Sequence, residues 1–143
     1  MIQLSKQISS NYQIIIVGLT EKQKSSLPSN IIGYTRTNNV EELRSLYAIA
    51  DAFVNPTYED NFPTTNIEAL ACGTPVITYD TGGSPEAINE KCGFVVEKGN
   101  TSILKKIIEF EIKNIFENQC INKSFLYNKL WTVNEYMFIF KNI

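Results

Sequence analysis

Ala52-Phe53-Val54-Asn55, a polar loop, Thr65-Asn66-Ile67-Glu68-Ala69-Leu70-Ala71-Cys72, Gly73-Thr74 and Pro75-Val76-Ile77-Thr78-Tyr79 follow one another between residues 52 and 79. The outer pieces are apolar runs of strand length. The middle piece opens on hydroxyls and stops at a glycine, as a helix does. A strand, a crossover helix and another strand make a parallel β-α-β unit. The alternation continues outward on both sides. Gln13-Ile14-Ile15-Ile16-Val17 is a continuous branched run, the pattern of a strand buried on both faces, and Gly18 closes it. Ile31-Ile32-Gly33-Tyr34 and Gly93-Phe94-Val95-Val96 are further strand candidates. From Val40 to Ala50, apolar residues at 40, 43, 46, 47 and 50 fit one helical face. Ile103, Leu104, Ile107, Ile108, Ile112, Ile115 and Phe116 form another such stripe, with Thr101 or Ser102 available as its cap. Residues 2–9 read as the end of a helix feeding the first strand, and Leu130-Trp131 through Ile143 as a terminal helix. The fold class that follows is α/β: a Rossmann-like, doubly wound parallel sheet of about five strands with helices on both faces.

Composition narrows the chemistry. The 143 residues are 43% hydrophobic and 20% charged, which suits one globular domain. Thirteen Lys and Arg against 15 Asp and Glu give a net charge of −2 with scattered basic residues, so no nucleic-acid partner is expected. No apolar run approaches the roughly 20 residues of a transmembrane helix. The sequence contains no histidine, which removes Ser-His-Asp and Cys-His catalysis and most zinc sites; no metal is expected. Cys72, Cys92 and Cys120 lack CxxC spacing and read as reduced thiols of a cytoplasmic protein.

Open α/β sheets bind ligands beyond the carboxyl ends of their strands. The loop from Asn55 to Thr65 holds the carboxylates Glu59 and Asp60, the amide Asn61 and the hydroxyls Thr64 and Thr65, and runs into a helix N-terminus. Free N–H groups and the dipole at such an end suit a phosphate or diphosphate. Glu68 lies one turn further on. Two roles are open to it, facing the same cavity or closing a capping box with Thr65. Asp60 and Asn61 equally suit a turn. The loop Asp80-Thr81-Gly82-Gly83-Ser84-Pro85-Glu86 follows the next strand. Its glycines either admit a ligand close to the backbone or simply turn the chain, while Pro85 can open a helix. Tyr34-Thr35-Arg36-Thr37 offers a ring and a guanidinium, or is a solvated loop. Cys72, with no basic neighbour in sequence, reads as a small filler rather than a nucleophile.

Four blocks stand in a telling order: Asp51-Ala52-Phe53-Val54-Asn55-Pro56, Glu59-Asp60-Asn61-Phe62-Pro63, Ile67-Glu68-Ala69-Leu70-Ala71-Cys72-Gly73-Thr74-Pro75-Val76-Ile77 and Gly82-Gly83-Ser84-Pro85-Glu86. Together they resemble the sugar-nucleotide-binding half of the family 4 (group 1) retaining glycosyltransferases, which have the GT-B fold, need no metal and often build bacterial surface polysaccharides. The resemblance continues more weakly from about residue 2 to the aromatics near Trp131 and Tyr136. It implies a nucleotide diphosphate-sugar as donor substrate, no cofactor, and sugar transfer to a saccharide or lipid-linked acceptor. The family carries two glutamates separated by seven residues, and this chain departs from that pattern at the first of them. Glu68, in its Glu-Ala-Leu-Ala-Cys-Gly-Thr-Pro context, matches the second, which contacts the donor ribose. Counting back through seven residues reaches Asp60, with Glu59 shifted by one; Asp60 is taken as the residue facing the transferred sugar. By the same resemblance Asn61, Phe62, Pro63 and Thr64 border the sugar. Thr65, Asn66 and Ile67 bring the backbone to the diphosphate, and Gly82 and Gly83 assist.

The departures from the family matter as well. Its basic Arg and Lys pair lies upstream of the strand that begins at Gln13, and Lys6 stands in the wrong context. The acceptor-binding domain is absent too, so residues 1–143 read as an N-terminally truncated donor domain. A stabilised leaving group and a positioned acceptor are most of this chemistry. The chain alone is therefore expected to bind donor weakly and not to transfer sugar. Its implied completion is a partner chain supplying the acceptor domain. Its implied place is the cytoplasm, peripheral at the inner membrane through that partner or the acceptor. The alternative is a non-catalytic remnant or interaction module.

Overall fold

Each branched run becomes a strand: β1 (Ile14–Val17), β2 (Ile31–Tyr34), β3 (Phe53–Asn55), β4 (Val76–Tyr79) and β5 (Gly93–Val96). Helices alternate with them: α1 (Ile2–Ser5), α2 (Glu21–Ser25), α3 (Val40–Ile49), α4 (Thr64–Ala71), α5 (Thr101–Lys106) and α6 (Glu117–Ser124), with a short helical turn at Ser84–Ala87. The computed structural model describes residues 1–127, and every strand pairing in it is parallel. The expected single sheet is divided. β1 pairs with β2, and β3, β4 and β5 form a separate three-stranded sheet in that order.

β4, flanked on both sides, is buried at all four positions. Its side chains alternate between faces. Ile77 and Tyr79 join Leu4, Val96, Leu104, Ile107, Ile108 and Ile112 in one core cluster. Val76 joins Tyr47, Ala69, Leu70, Cys92 and Cys120 in the other. Helices α1 and α5 thus cover one face of this sheet, and α3, α4 and α6 the opposite one.

Where local pattern and tertiary environment differ, burial follows the neighbours. β1 was expected to be buried on both faces, yet Ile15 and Val17 are each 39% exposed. A two-stranded sheet does not give it a central strand's cover. In α3, Tyr47 is buried but Val40 is 76% exposed, because it sits in the first turn behind the Asn39 cap, whose Oδ1 accepts from the Glu42 N–H at 2.8 Å. Asn100, not Thr101 or Ser102, caps α5, accepting from the Ile103 N–H at 3.1 Å. The stripe beyond it widens into a π turn at Ile107–Glu111 and tightens into a 3₁₀ turn at Ile112–Asn114. Leu104, Ile107, Ile108 and Ile112 are buried while Phe116, already at the start of α6, is 73% exposed. The terminal helix expected from Leu130 to Ile143, with Trp131 and Tyr136, lies outside the described residues.

Cys92 and Cys120 are buried against each other's elements, and all three cysteines are free thiols. Burial pushes the Cys120 thiol up to about 12, with Cys92 adding to the rise. Burial raises Cys92 too. A raised folded-state value means stability that is full below the ordinary thiol pKa and is lost as pH climbs towards the folded one. The urea midpoint should therefore hold up to about pH 8.5, near the ordinary thiol value, and fall above it. In Cys120→Ala the alkaline fall should be shallower. At pH 8, alkylation followed by mass spectrometry should find half-buried Cys72 modified well before Cys92 and Cys120.

Candidate functional site

The loops leaving the carboxyl ends of β3 and β4 lock into each other. In the first, the Phe62 N–H donates to Asp60 Oδ1 at 3.2 Å and the Thr57 hydroxyl to the Glu59 carbonyl at 3.0 Å. Asp60 thus does serve a turn, through Oδ1; Oδ2 is not part of it. From the second loop, the Thr81 hydroxyl donates to the Thr57 carbonyl at 3.0 Å and the Gly83 N–H to the Asp60 carbonyl at 3.2 Å. Gly82 has φ +51°, and a Cβ there would collide with the Asp60 carbonyl oxygen. A Cβ on Gly83 would collide with that of Asn61. The close approach that the glycine pair permits is therefore loop against loop. Gly83→Ala should cost about 1–3 kcal/mol as an overpacking change. A drop in melting temperature measures it, and an unchanged melting temperature would show that the loops part freely.

The second loop also reaches α4. Asn66 is fully buried; its Oδ1 accepts from Asn55 Nδ2 at 3.0 Å and its Nδ2 donates to the Ser84 carbonyl at 3.3 Å. One amide ties β3, α4 and the Ser84–Ala87 turn together. Beside it, the Ser84 hydroxyl is buried and has no hydrogen-bond partner among the described residues.

The capping box at Thr65 and Glu68 does not form. α4 begins at Thr64 behind Pro63, with no side-chain cap, so Thr65 already lies inside the helix. Glu68 is exposed and its Oε2 accepts a long hydrogen bond, 3.4 Å, from the Tyr47 hydroxyl on α3. Burial, reinforced by the Glu68 carboxylate, pushes the Tyr47 phenol well above its ordinary value. A capping box does occur at α2, between Thr20 and Gln23. In the first turn of α4 the Asn66 N–H donates to the Pro63 carbonyl at 3.1 Å. The helix-start donors left over are those of Thr64 and Thr65.

Of the residues singled out from sequence, Glu59, Asn61, Phe62, Thr64, Thr65, Glu68 and Gly82 are exposed, and Asp60 and Ile67 half-buried. Pro63, Asn66 and Gly83 are buried. Direct contacts join the Asp60–Asn61 backbone to Gly82–Gly83, and Asn66 to Ser84. No hydrogen bond links Glu68 to Asp60 or Glu59 among the described residues. Sequence reasoning passed over two flanking groups. Lys98, just past β5, donates from Nζ to the Tyr58 carbonyl at 3.0 Å and stands 4.8 Å from the centre of that ring. The Tyr127 hydroxyl donates to the Glu86 carbonyl at 2.8 Å, with its ring centre 5.7 Å from that of Phe62. The carboxyl end of β5 was the one signal available for Lys98; nothing local marks Tyr127. A cavity of about 290 Å³ lies at the opposite end of the strands, lined by Asp51, Cys72, Thr74 and Pro75 among others, away from these loops.

Residues 1–126 match the family described as Glycosyl transferases group 1. The chain belongs to the group 1 glycosyltransferases. The capsular polysaccharide biosynthesis glycosyltransferase CapM of Staphylococcus aureus is 33% identical over 69% of this chain. A D-inositol 3-phosphate glycosyltransferase of Corynebacterium jeikeium is 43% identical over 40% of it. This group 1 chain spans 28% of the length of the first and 14% of the second. HepE of Anabaena, solved in complex with UDP, superposes with a TM-score of 0.75 at 19% identity, over 99% of this chain and 43% of that one. Sucrose-phosphate synthase of Thermosynechococcus elongatus does so with a TM-score of 0.69 at 18% identity, over 99% of this chain and 49% of that one. The fold of this glycosyltransferase chain is therefore the Rossmann-like α/β half of a GT-B protein, as its motifs implied. Among the described residues no helix is long and apolar enough to cross a membrane.

Proposed function

We propose that this chain is the donor-binding domain of a retaining glycosyltransferase that moves a sugar from a nucleotide diphosphate-sugar to a saccharide or lipid-linked acceptor. The observation that carries this reading is the lock between the two loops, with the Gly83 N–H on the Asp60 carbonyl and Asn66 on the Ser84 carbonyl. It gathers an acidic loop, the start of α4 and a Gly-Gly turn at the carboxyl ends of β3 and β4, where α/β sheets take their ligands. Glu68 accepts from the ribose hydroxyls and Asp60, through its spare oxygen, from the transferred sugar. The N–H groups of Thr64 and Thr65, with the positive end of α4, meet the diphosphate. Backbone near Gly82 and the orphan Ser84 hydroxyl complete that cradle. Asn61 and Phe62 border the sugar. The chemistry is read as needing no metal and no cofactor, with charge on the departing diphosphate met by the backbone donors at the start of α4. HepE was solved with UDP, which makes uridine nucleotides the first donors to test. CapM is named for capsular polysaccharide synthesis, which supports a surface polysaccharide as the product. An acceptor-binding domain, on the same polypeptide or another, completes the cleft on the cytoplasmic side.

A second reading is favoured by the charge of the site. The loops after β3 and β4 carry Glu59, Asp60, Asp80 and Glu86 and no Lys or Arg. A diphosphate departing there meets no cation from these loops, and Lys98 is engaged with Tyr58, so on this reading the chain by itself binds donor weakly or not at all and does not transfer sugar. Thermal-shift titration with UDP, GDP and ADP to about 10 mM separates the two. Stabilisation by at least one of them is expected for a donor domain. No response to any of them leaves the non-catalytic module.

A further inference from the structure

The acidic loop carries an aromatic ring at each end, Tyr58 ahead of Glu59, Asp60 and Asn61, and Phe62 behind them. Core burial fixes neither ring, since Tyr58 is 58% and Phe62 36% exposed. Each is held instead by groups distant in sequence. The Tyr58 ring stands edge-on to buried Tyr79, with centres 5.8 Å apart, and Lys98 covers it while donating to its carbonyl. The Phe62 ring meets that of Tyr127 at a tilt of 53°.

Tyr127 stands on a firm base. It ends the 3₁₀ turn Phe125–Tyr127 directly behind α6, and fully buried Cys120 fixes α6 in the core. From there Tyr127 reaches both loops, the first through its ring at Phe62 and the second through its hydroxyl at the Glu86 carbonyl. Two routes then lead to Asp60. By one, the ring sets Phe62, whose N–H holds Asp60 Oδ1. By the other, the hydroxyl steadies the Ser84–Ala87 turn, and the Gly83 N–H at its start holds the Asp60 carbonyl. Asp60 is thus gripped by side chain and by main chain, and both grips lead back to Tyr127. Glu68 and the first amides of α4 lie on neither route.

We propose that Tyr127 is a positioning residue of the donor site, clasping the two loops so that the spare oxygen of Asp60 faces the transferred sugar, a role that rests on the donor-domain reading for its ligand but not for its geometry. Its effect falls on the sugar of the donor and not on the nucleotide, because the carboxylate it orients is the one that meets the sugar.

The test compares Tyr127→Ala and Tyr127→Phe with the parent chain in two measurements. The first needs no ligand. It is amide exchange by NMR at Gly83, referred to Val76, whose N–H donates to the Cys92 carbonyl in the centre of the sheet. Tyr127→Ala is expected to speed exchange at Gly83 by about threefold or more relative to Val76, the effect of losing one such contact. The second is titration with UDP and with UDP-glucose. Tyr127→Ala should weaken UDP-glucose by about fivefold more than UDP. Tyr127→Phe keeps the ring and loses only the hydroxyl route, so it should fall between the parent and Tyr127→Ala in both measurements. An unprotected Gly83 amide in the parent, or Gly83 and Val76 accelerated alike by Tyr127→Ala, would overturn the proposal, the latter because it marks a general loss of stability. Equal losses for UDP and UDP-glucose would overturn it too. If the parent binds neither ligand, the donor-domain reading fails, and the Gly83 rates still decide whether the clasp exists.

Discussion

Glu68→Ala is expected to abolish stabilisation by a nucleoside diphosphate while the protein stays folded. A carboxylate accepting from ribose hydroxyls contributes about 1.5–3 kcal/mol, a factor of roughly 10 to 150 in affinity. At a ligand concentration near ten times Kd the stabilisation itself is only about 1.4 kcal/mol, so such a loss takes the shift below detection. The same truncation costs the fold little. Glu68 is exposed, its bond from Tyr47 is long at 3.4 Å, and α4 starts without its help. An exposed side chain of this kind is worth within about 0.5–1 kcal/mol of stability. Glu68→Gln keeps an acceptor for Tyr47 and for one hydroxyl, and should retain part of the response. Urea unfolding and ligand-dependent melting on the same samples decide the matter. If Glu68→Ala unfolds at markedly lower urea, its role is structural. If its nucleotide response equals that of the parent chain, the ribose contact is wrong.

Ile77→Ala should give the largest loss of stability. Ile77 is fully buried at the centre of β4, between the strands β3 and β5, and belongs to the cluster that joins α1, α5 and the sheet. Truncation loses the transfer free energy of the removed carbons and leaves a cavity between elements that cannot collapse, costing about 2–5 kcal/mol. For a domain of this size that lowers the melting temperature by on the order of 10–20 °C. Ile77→Val should cost no more than about 1.5 kcal/mol. Equal melting curves for Ile77→Ala and the parent would mean that the face covered by α1 and α5 is not the core.

How far each feature could be read locally depends on the distance over which it is decided. The strands are all visible as branched runs, and α4 as a stretch between hydroxyls and Gly73. β1 shows the limit: four branched residues specify an extended chain but not what covers it. α6 was missed because Glu117 to Ser124 is mostly polar, and its buried side, at Cys120 and Ser124, exists only because α4 lies beside it. The acidic loop and the Gly-Gly turn were legible as site candidates. The glycines were not legible as loop spacers, since their partners, Asp60 and Asn61, lie more than twenty positions away. Lys98 and Tyr127 reach the site from 40 and 41 positions along the chain. Spacing rules carry no information at that range.

Sequence by itself determined the α/β class, the parallel direction of the strands and the family. Strand-length apolar runs joined by helices can pair only through crossovers, and the four motif blocks keep their order whatever packs around them. Tertiary structure decided the rest: that Glu68 turns to Tyr47 instead of capping its own helix, that Asn66 is a buried clamp, and that the sheet stops between β1 and β3. Each of these depends on which distant backbone donors and acceptors come within hydrogen-bond reach, and only the folded chain brings them there.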